Sequence, residues 1–424
     1  MKNKRYPLIV ALVFLIFFVI SFLTNILNSL LPNIKDSFNL SYGLAGFLPF
    51  SFFIAYGIMS IPAGIMIEKR SEKFVLILAF LLAFSGALLF VLIPGFSVAL
   101  CSLFLIGLGM AMLQVVINPL LRASGGEEHF AFNSVLAQIF FGGASYLSPW
   151  MYSYLVQNVH SSHTNVFLSI LNKIVPLRLE WVSVYWVFAV VVLVMILVIW
   201  LVKFPAIELN EDEKMGTSSS FREMLRNKYT YLFFFGTFAY VGTEQGISNW
   251  ISTFLQTYHG MNPETVGASA VSGFWGLMTL GCLLGLVLLK IFDSKKLLSV
   301  FVIGGVICLS LGLFGSATVS LYAFQFCGFC LSVMWSIVIS LGLNSVAKHH
   351  GSFTGILCTG IIGGAVVPLV IGWLSDFIGL RSAMFILYGT LAYLFSMGLW
   401  AKPLVNNAVA KTTLRDLFGK KKQG

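Results

Sequence analysis

Long uncharged, apolar runs recur along the whole chain, and they limit the fold more than any other feature. A run of about 20 such residues crosses a bilayer as one α-helix. Within the bilayer a backbone that is not part of a closed barrel must form helices to satisfy its own hydrogen bonds. We therefore predict an all-α membrane protein with twelve transmembrane helices. The runs lie at 7–31, 43–67, 74–93, 98–121, 131–156, 183–203, 229–256, 265–289, 297–314, 318–346, 352–375 and 381–400.

The composition agrees with this class of protein. The chain is 58% hydrophobic and only 10% charged, with a mean hydropathy of +0.92, which is far from the values of soluble domains. The six cysteines all fall in apolar segments, so they are expected to be small buried side chains and not disulfides. Cys327 and Cys330 form a C-x-x-C without a nearby histidine, and we predict no metal site there.

The net charge of +10 would suit a nucleic-acid partner if the basic residues were clustered on one face. With a cytoplasmic N-terminus, however, all but four of the 26 Lys and Arg residues lie on the cytoplasmic side of the predicted helices. This is the positive-inside pattern, so the basic residues report topology. We expect a multi-pass protein of the bacterial plasma (inner) membrane, with both termini cytoplasmic, a retained first helix and no nucleic-acid partner. The four exceptions are Lys35, Lys173, Arg178 and Arg381.

An internal repeat with an offset of 221 residues divides the chain into two halves. "FNSVLAQIFFGGA", beginning at Phe132, aligns with "FTGILCTGIIGGA", beginning at Phe353. The same offset pairs Gly107 with Gly328, Gly64 with Gly285, Gly46 with Gly267 and Asn28 with Asn249. Two parallel halves of six helices each are the simplest explanation.

The repeat and the polar segments predict the domain boundaries. We expect an outer loop at 157–182 to contain a short amphipathic helix. The basic tail would sit at the anionic leaflet. The predicted units are an N-terminal six-helix bundle at 1–203, a cytoplasmic linker at 204–228, a C-terminal six-helix bundle at 229–403 and the tail at 404–424.

Glu244 is the one acidic residue near the centre of a predicted span. An ionisable group at that depth is costly, and such groups usually serve transport. We predict that it takes up the coupling proton; the alternative is a structural glutamate that is hydrogen-bonded between helices. Asp376 lies at the end of span eleven and Asp293 in a cytoplasmic turn.

Uncharged hydrogen-bonding and aromatic groups share the spans with Glu244. Amides offer donors and acceptors without fixed charge, which suits a ligand rich in hydroxyl groups, and Trp rings pack against sugar faces. The alternative is that the amides only tie helices together and that the Trp side chains anchor at the interface. The candidate binding residues are Asn25, Asn28, Gln114, Asn118, Gln138, Gln245, Asn249, Trp250, Trp275 and Trp335.

Sequence motifs resemble one branch of a known family. "LQVVINP" followed by "LAQIF", together with "SIPAGIMIEKRSEK" and "YVGTEQGISNW", is similar to the fucose/galactose/glucose:proton symporter branch (fucose permease-like) of the major facilitator superfamily. The resemblance implies two pseudo-symmetric six-helix bundles with the substrate between them. It also implies that Gln114, Asn118, Gln138 and Glu244 line a sugar cavity or support coupling.

The chain departs from that branch at its acidic positions. In helix 1 the branch commonly has an acid in a motif like L-N-D-x-L-x-P, whereas this chain reads "LNSLLP", with Asn28 or Ser29 at that place. In a member of the branch, helix 4 has an acid where Gln114 stands here. Coupling must therefore depend on Glu244, use Na⁺, or be absent.

The loop after the second span contains a candidate gate. "GIMIEKRSEK" lies where the superfamily has its helix 2 to 3 gating motif. Glu68, Lys69 and Arg70 are predicted to form a latch on the cytoplasmic side; the alternative is a solvated basic loop.

These observations predict a secondary transporter that imports a neutral monosaccharide or amino sugar by alternating access with proton coupling. The alternatives are a facilitator or exporter of a drug-like amphiphile with the same fold, or a Na⁺-coupled sugar carrier. We find no nucleophile–base pair, metal cluster or phosphate loop in the sequence, so no enzyme activity and no cofactor are expected. The predicted partners are a sugar and the lipid bilayer, and the protein is expected to be a monomer.

Overall fold

The computed structural model describes residues 6–125, 130–161, 165–204, 218–345 and 350–402. All regular secondary structure in these ranges is helical, which confirms the predicted all-α class. Most of the predicted linker, 205–217, and the predicted tail at 404–424 lie outside the described residues.

Eight helices form the N-terminal half, and α7 lies in the loop where the sequence predicted a short amphipathic helix. It buries Leu168 and Leu171 while Val166 and Ile170 are exposed. The helices are α1 Pro7–Asn25, α2 Leu27–Ser37, α3 Tyr42–Lys69, α4 Glu72–Leu92, α5 Phe96–Gly125, α6 Phe130–Asn158, α7 Val166–Ile174 and α8 Val182–Leu201.

Eleven helices make up the rest of the described chain. A π-helical turn, Pro263–Gly267, precedes α12, and a 3₁₀ turn, Gly360–Ile362, joins α16 to α17. The helices are α9 Ser218–Arg226, α10 Lys228–Ser248, α11 Ile251–His259, α12 Ala268–Ile291, α13 Ser294–Phe314, α14 Ala317–Leu331, α15 Met334–Leu343, α16 His350–Thr359, α17 Gly363–Ile378, α18 Leu380–Ala383 and α19 Ile386–Trp400.

Ten helical segments of the described chain are long and apolar enough to cross a membrane. The two other long segments, α6 and the α10–α11 pair, are not among them. These two are the segments that carry Gln138 and Glu244, so the polar side chains of interest lie on the least apolar long helices. The arrangement is consistent with the twelve predicted crossings.

Three predicted spans contain a break in the helix. The breaks lie at Ile26 between α1 and α2, at Asn249 and Trp250 between α10 and α11, and at Ser332 and Val333 between α14 and α15. The backbone at these positions keeps right-handed helical φ and ψ angles, and hydrogen bonds continue through each break. Each break is therefore a local distortion of one long helix and not a gap between two.

The two halves repeat one packing scheme, as the sequence repeat predicted. In the N-terminal half α5 packs on α3 and α4, α1 on α6, and α4 on α8. In the C-terminal half the corresponding pairs are α14 on α12 and α13, α10 on α17, and α13 on α19. The predicted pair of pseudo-symmetric bundles is thus present in the described chain.

The halves meet along two helix pairs, α3 with α17 and α6 with α12. A Cβ added to Gly46 would lie 3.0 Å from the Cα atom of Leu369, so α3 and α17 are in backbone contact. Across the second pair, the Ser272 hydroxyl donates a hydrogen bond of 2.6 Å to the Tyr146 carbonyl oxygen. These contacts make both pairs close-packed seams.

The two halves also touch at the end of the molecule that contains the turns 38–41 and 260–262 and the residue Gly379, which we name the closed end. Here α2 packs against α11, so the interrupted first helices of the two halves touch. We name the opposite end, where α1 starts and α19 finishes, the termini end.

Two glycines related by the repeat explain the close approach within each half. A Cβ on Gly107 of α5 would collide with the carbonyl oxygen of Phe52 in α3. In the other half, a Cβ on Gly328 of α14 would collide with the carbonyl oxygen of Phe274 in α12. A backbone carbonyl cannot move aside as a flexible side chain can, so both positions require glycine.

We predict that Gly107→Ala and Gly328→Ala each destabilise the protein by about 1–3 kcal/mol, the usual cost of overpacking. The measurement is the midpoint of thermal unfolding in detergent, followed by fluorescence-detected gel filtration. Gly389→Ala is the matched control, because a Cβ there meets no atom within 4 Å. Equal midpoints for all three variants would contradict the backbone-contact explanation.

Candidate functional site

Glu244 lies in α10, five residues before the break at Asn249, and its side chain is only partly exposed. The Tyr240 hydroxyl, one helical turn earlier, and the Cys282 thiol of α12 lie within electrostatic range of the carboxylate. Cys282 in turn donates to the carbonyl oxygen of Ser332 at the break between α14 and α15, over 3.2 Å. Glu244 therefore lies on the side of α10 that is turned toward α12 and the break between α14 and α15.

A chain of amides leads from Glu244 to the break in the same helix. The Gln245 amide nitrogen donates to the Glu244 carboxylate over 3.3 Å. The Asn249 amide nitrogen donates to the Gln245 side-chain oxygen over 3.1 Å and to the Gln245 carbonyl oxygen over 2.8 Å. Gln245 and Asn249 are both buried. The i, i+4 spacing seen in the sequence thus produces one connected polar strip.

The three candidate tryptophans have different surroundings. Trp335 of α15 is partly exposed, and its ring centroid lies 5.8 Å from that of Tyr240. Trp250 is fully buried and donates a hydrogen bond of 3.2 Å to the carbonyl oxygen of Pro368. Trp275 is also buried, and its ring nitrogen makes no hydrogen bond within the described chain. Of the three, Trp335 is the one that is both accessible and next to the neighbours of Glu244.

In the N-terminal half, Asn25 connects two helices. Its amide nitrogen donates to the Ser145 hydroxyl of α6 over 2.8 Å and to the Ser21 hydroxyl over 3.3 Å. The side chain is buried, with an exposed fraction of 1%. These bonds support the helix-tying alternative for Asn25, and its role in binding stays a prediction.

Two asparagines related by the repeat each have a polar atom without a partner. The amide nitrogen of Asn28 in α2 and the side-chain oxygen of Asn249 make no hydrogen bond within the described chain. Both residues are at most 1% exposed. Such groups are rare in folded proteins, because leaving one unpaired costs about 1–3 kcal/mol. The breaks in the first helix of each half therefore carry unused hydrogen-bonding capacity.

Gln114 in α5 is partly exposed, and Gln138 in α6 is exposed. Both amides are accessible, which a binding role requires. The Asn118 side chain lies outside the described part of the chain. The assignment of these three residues to a binding site stays a prediction.

The predicted gating loop lies at the termini end. Arg70 follows the last residue of α3, is exposed, and holds its guanidinium 5.7 Å from the centroid of the Phe74 ring. The side chains of Glu68 and Lys69 lie outside the described residues, so the proposed latch stays a prediction.

Two residues beside Glu244 were not found from the sequence. Tyr240 precedes Glu244 by one helical turn, so the i, i+4 rule could have identified it. Cys282 lies on another helix, and no sequence pattern connects it with Glu244. Within the described chain, no group of three or more His, Cys, Asp and Glu side chains could hold a metal ion.

Two apolar grooves lie away from these residues. The larger, of about 580 Å³, is lined by side chains of α1, α6 and α8, including Phe22, Trp150 and Val191. The smaller is lined by α10 and α19, including Phe238 and Tyr393. Neither contains a predicted binding residue, and such surfaces suit lipid chains.

Comparison with known proteins agrees with this architecture. Residues 13–361 match the family model of the Major Facilitator Superfamily. A glucose/galactose transporter of Brucella abortus (strain 9-941) is 28% identical over 407 residues, which cover 94% of this chain and 95% of that protein. The L-fucose-proton symporter of Escherichia coli K12 is 27% identical over 396 residues, covering 89% of each chain.

Solved structures give the same result. The crystal structure of the E. coli fucose:proton symporter FucP is 26% identical and has a TM-score of 0.66, covering 94% of this chain and 100% of that one. A D-xylose-proton symporter is 12% identical with a TM-score of 0.69, covering 96% and 99%, and shows the shared fold. The predicted resemblance is confirmed, and the chain belongs to the major facilitator superfamily.

Proposed function

We propose that this protein imports a neutral monosaccharide or amino sugar across the bacterial inner membrane by alternating access, driven by a proton that Glu244 takes up. The observation that carries the proposal is the position of Glu244. Its side chain is partly exposed, and it begins a connected strip of amides that leads to a helix break. Relatives named as glucose/galactose and L-fucose-proton transporters support this substrate class.

The chemistry of the candidate site favours a neutral, hydroxylated substrate. Amides such as Gln114, Gln138 and Asn249 can donate to and accept from hydroxyl groups. An anionic substrate would call for a basic side chain within the spans, and every Lys and Arg of the sequence lies in a loop or at a span end. Trp335, accessible and packed near Tyr240, supplies an aromatic face for a sugar ring.

Proton coupling follows from the cost of burying a charge. When the halves close around the substrate, an ionised Glu244 would lose contact with water, and a buried, unpaired carboxylate is strongly unfavourable. Protonation removes that cost, so the occluded state forms more readily with the proton bound. Because Asn28 or Ser29 in helix 1 and Gln114 in helix 4 stand where the resemblance implies acids, Glu244 would carry the proton without their help.

The charge distribution assigns the two ends of the molecule to the two sides of the membrane. With the positive-inside pattern, the termini end lies in the cytoplasm and the closed end in the periplasm. The structure then corresponds to a state closed to the outside. Import would alternate between this state and one in which the bundles 1–203 and 229–403 rock apart at the closed end, each moving as a unit within a monomer.

The proposal predicts a defined pattern of uptake. Vesicles containing the purified protein should accumulate a labelled neutral monosaccharide when a pH gradient, inside alkaline, is imposed. Without a gradient they should only equilibrate it. A panel of hexoses, 6-deoxyhexoses, pentoses and amino sugars, each tested with pH and Na⁺ gradients, identifies the sugar and the ion. Accumulation driven by Na⁺ alone, or transport restricted to apolar amphiphiles, would refute the proposal.

A second prediction concerns the coupling residue. Glu244→Gln should abolish accumulation driven by a pH gradient and retain sugar counterflow, because the amide keeps the shape but cannot exchange a proton. The matched control is Glu180→Gln, since Glu180 is a carboxylate in the outer loop, outside the spans and the predicted gate, and this variant should accumulate sugar as the parent does. Undiminished accumulation in Glu244→Gln would remove Glu244 from the coupling role.

A third prediction separates the tryptophans. Trp335→Ala should weaken sugar binding by roughly five- to tenfold, which is what the loss of an aromatic contact of about 1–1.5 kcal/mol gives. Trp250→Phe should instead lower the unfolding midpoint, because it removes the bond to the Pro368 carbonyl oxygen and leaves a cavity. Binding is measured by isothermal titration and stability by thermal unfolding. The reverse pattern would contradict both assignments.

A further inference from the structure

Asp376, near the end of α17, bonds to a helix of the other half. One carboxylate oxygen accepts a hydrogen bond of 2.8 Å from the backbone nitrogen of Tyr42, and the other accepts one of 2.8 Å from the nitrogen of Gly43. Tyr42 and Gly43 are the first two residues of α3. A carboxylate of the C-terminal half therefore caps a helix of the N-terminal half.

The start of α3 depends on this contact for its first two donors. The first turn of any helix contains N–H groups without a partner inside the helix. In α3 the nitrogen of Leu44 donates to the Ser41 hydroxyl over 3.2 Å, and the nitrogen of Ala45 donates to the Ser41 carbonyl oxygen over 3.0 Å. Ser41 thus serves the third and fourth residues, and Asp376 serves the first and second. The negative charge also lies at the positive end of the helix dipole.

Glycines allow the two helix ends to come this close. A Cβ on Gly43 would lie 2.7 Å from a carboxylate oxygen of Asp376. A Cβ on Gly372, one turn earlier in α17, would collide with the carbonyl oxygen of Tyr42. Larger side chains at either position would separate the helices and break the cap.

Other hydrogen bonds between the halves surround this contact at the closed end. The Asn33 amide nitrogen donates to the Glu264 carboxylate over 2.9 Å, and the Gln256 amide nitrogen donates to the Asp36 carboxylate over 3.1 Å. These join flexible side chains to each other. Asp376 differs in that both of its oxygens bond to the fixed backbone of a helix terminus, so its geometry specifies one relative position of α3 and α17.

We propose that Asp376 is a gating residue, whose cap on α3 stabilises the state in which the closed end is shut. When the halves separate there, the carboxylate and the two N–H groups return to water, so the contact exists in one state and not in the other. A ligand or contact that favours one of two states shifts their populations by its differential free energy. Asp376 biases the transporter toward the state seen here.

The test measures the distance across the closed end. Spin labels are attached after Ile93→Cys and Phe314→Cys, two exposed positions in opposite halves, in a chain whose six native cysteines are replaced by serine. Pulsed electron–electron double resonance, without sugar or gradient, gives the populations of short and long distances between the two labels. Asp376→Ala should raise the long-distance population about fivefold, the size of effect that a carboxylate at an exposed helix N-terminus provides.

Asp376→Asn provides a graded second variant. Its amide keeps one acceptor oxygen and presents a donor to the other N–H group, so the long-distance population should lie between those of the parent and Asp376→Ala. The matched control is Asp293→Ala, because Asp293 caps α13 within its own half through Lys295 and Lys296. This control loses an equivalent cap without losing a contact between halves, and its distances should match the parent.

Unchanged distances in Asp376→Ala and Asp376→Asn, or an equal change in Asp293→Ala, would overturn the gating role. The inference is independent of the sugar and of the coupling ion, since neither enters the measurement. Failure of the uptake or Glu244 experiments would therefore leave it standing. The proposed orientation in the membrane matters only for the statement that the closed end is periplasmic.

Discussion

The hydrogen bonding of the backbone in hydrocarbon is the constraint on which this structure depends. Each segment inside the bilayer must pair its own N–H and C=O groups, and continuous helices do so. Several functional candidates lie at or near the local helix distortions at Ile26, at Asn249 and Trp250, and at Ser332 and Val333. Polar side chains are thus placed on long helices whose backbone pairs its own groups.

The two halves share a helix-packing scheme, but they differ in the polar side chains at corresponding positions. Gly107 and Gly328 hold corresponding helix pairs in backbone contact, as expected of a duplicated unit. With the offset of 221 residues, however, Glu244 corresponds to Leu23, a buried apolar residue. Structural symmetry supports two bundles that can rock about their seams, whereas the proposed coupling chemistry belongs to the C-terminal half.

The sequence predicted the all-α class, the two similar halves and the position of Glu244 inside a long helix. These features depend on the length of apolar runs, on glycine spacing and on the depth of a charge within a span. It could not predict Cys282 beside Glu244 or Asp376 on α3, because both contacts join residues far apart in the chain. The helix breaks were also missed, since the residues there are compatible with helix. The burial of Trp250 and its hydrogen bond to the Pro368 carbonyl oxygen also have no local sequence signal.

The polar amide atoms of Asn28 and Asn249 that have no partner within the described chain leave an unused hydrogen-bonding position in the first helix of each half. A solvent molecule or a hydroxylated solute that pairs with them would recover the free energy that an unpaired buried group costs. Occupancy of these positions would then favour whichever conformation holds the occupant.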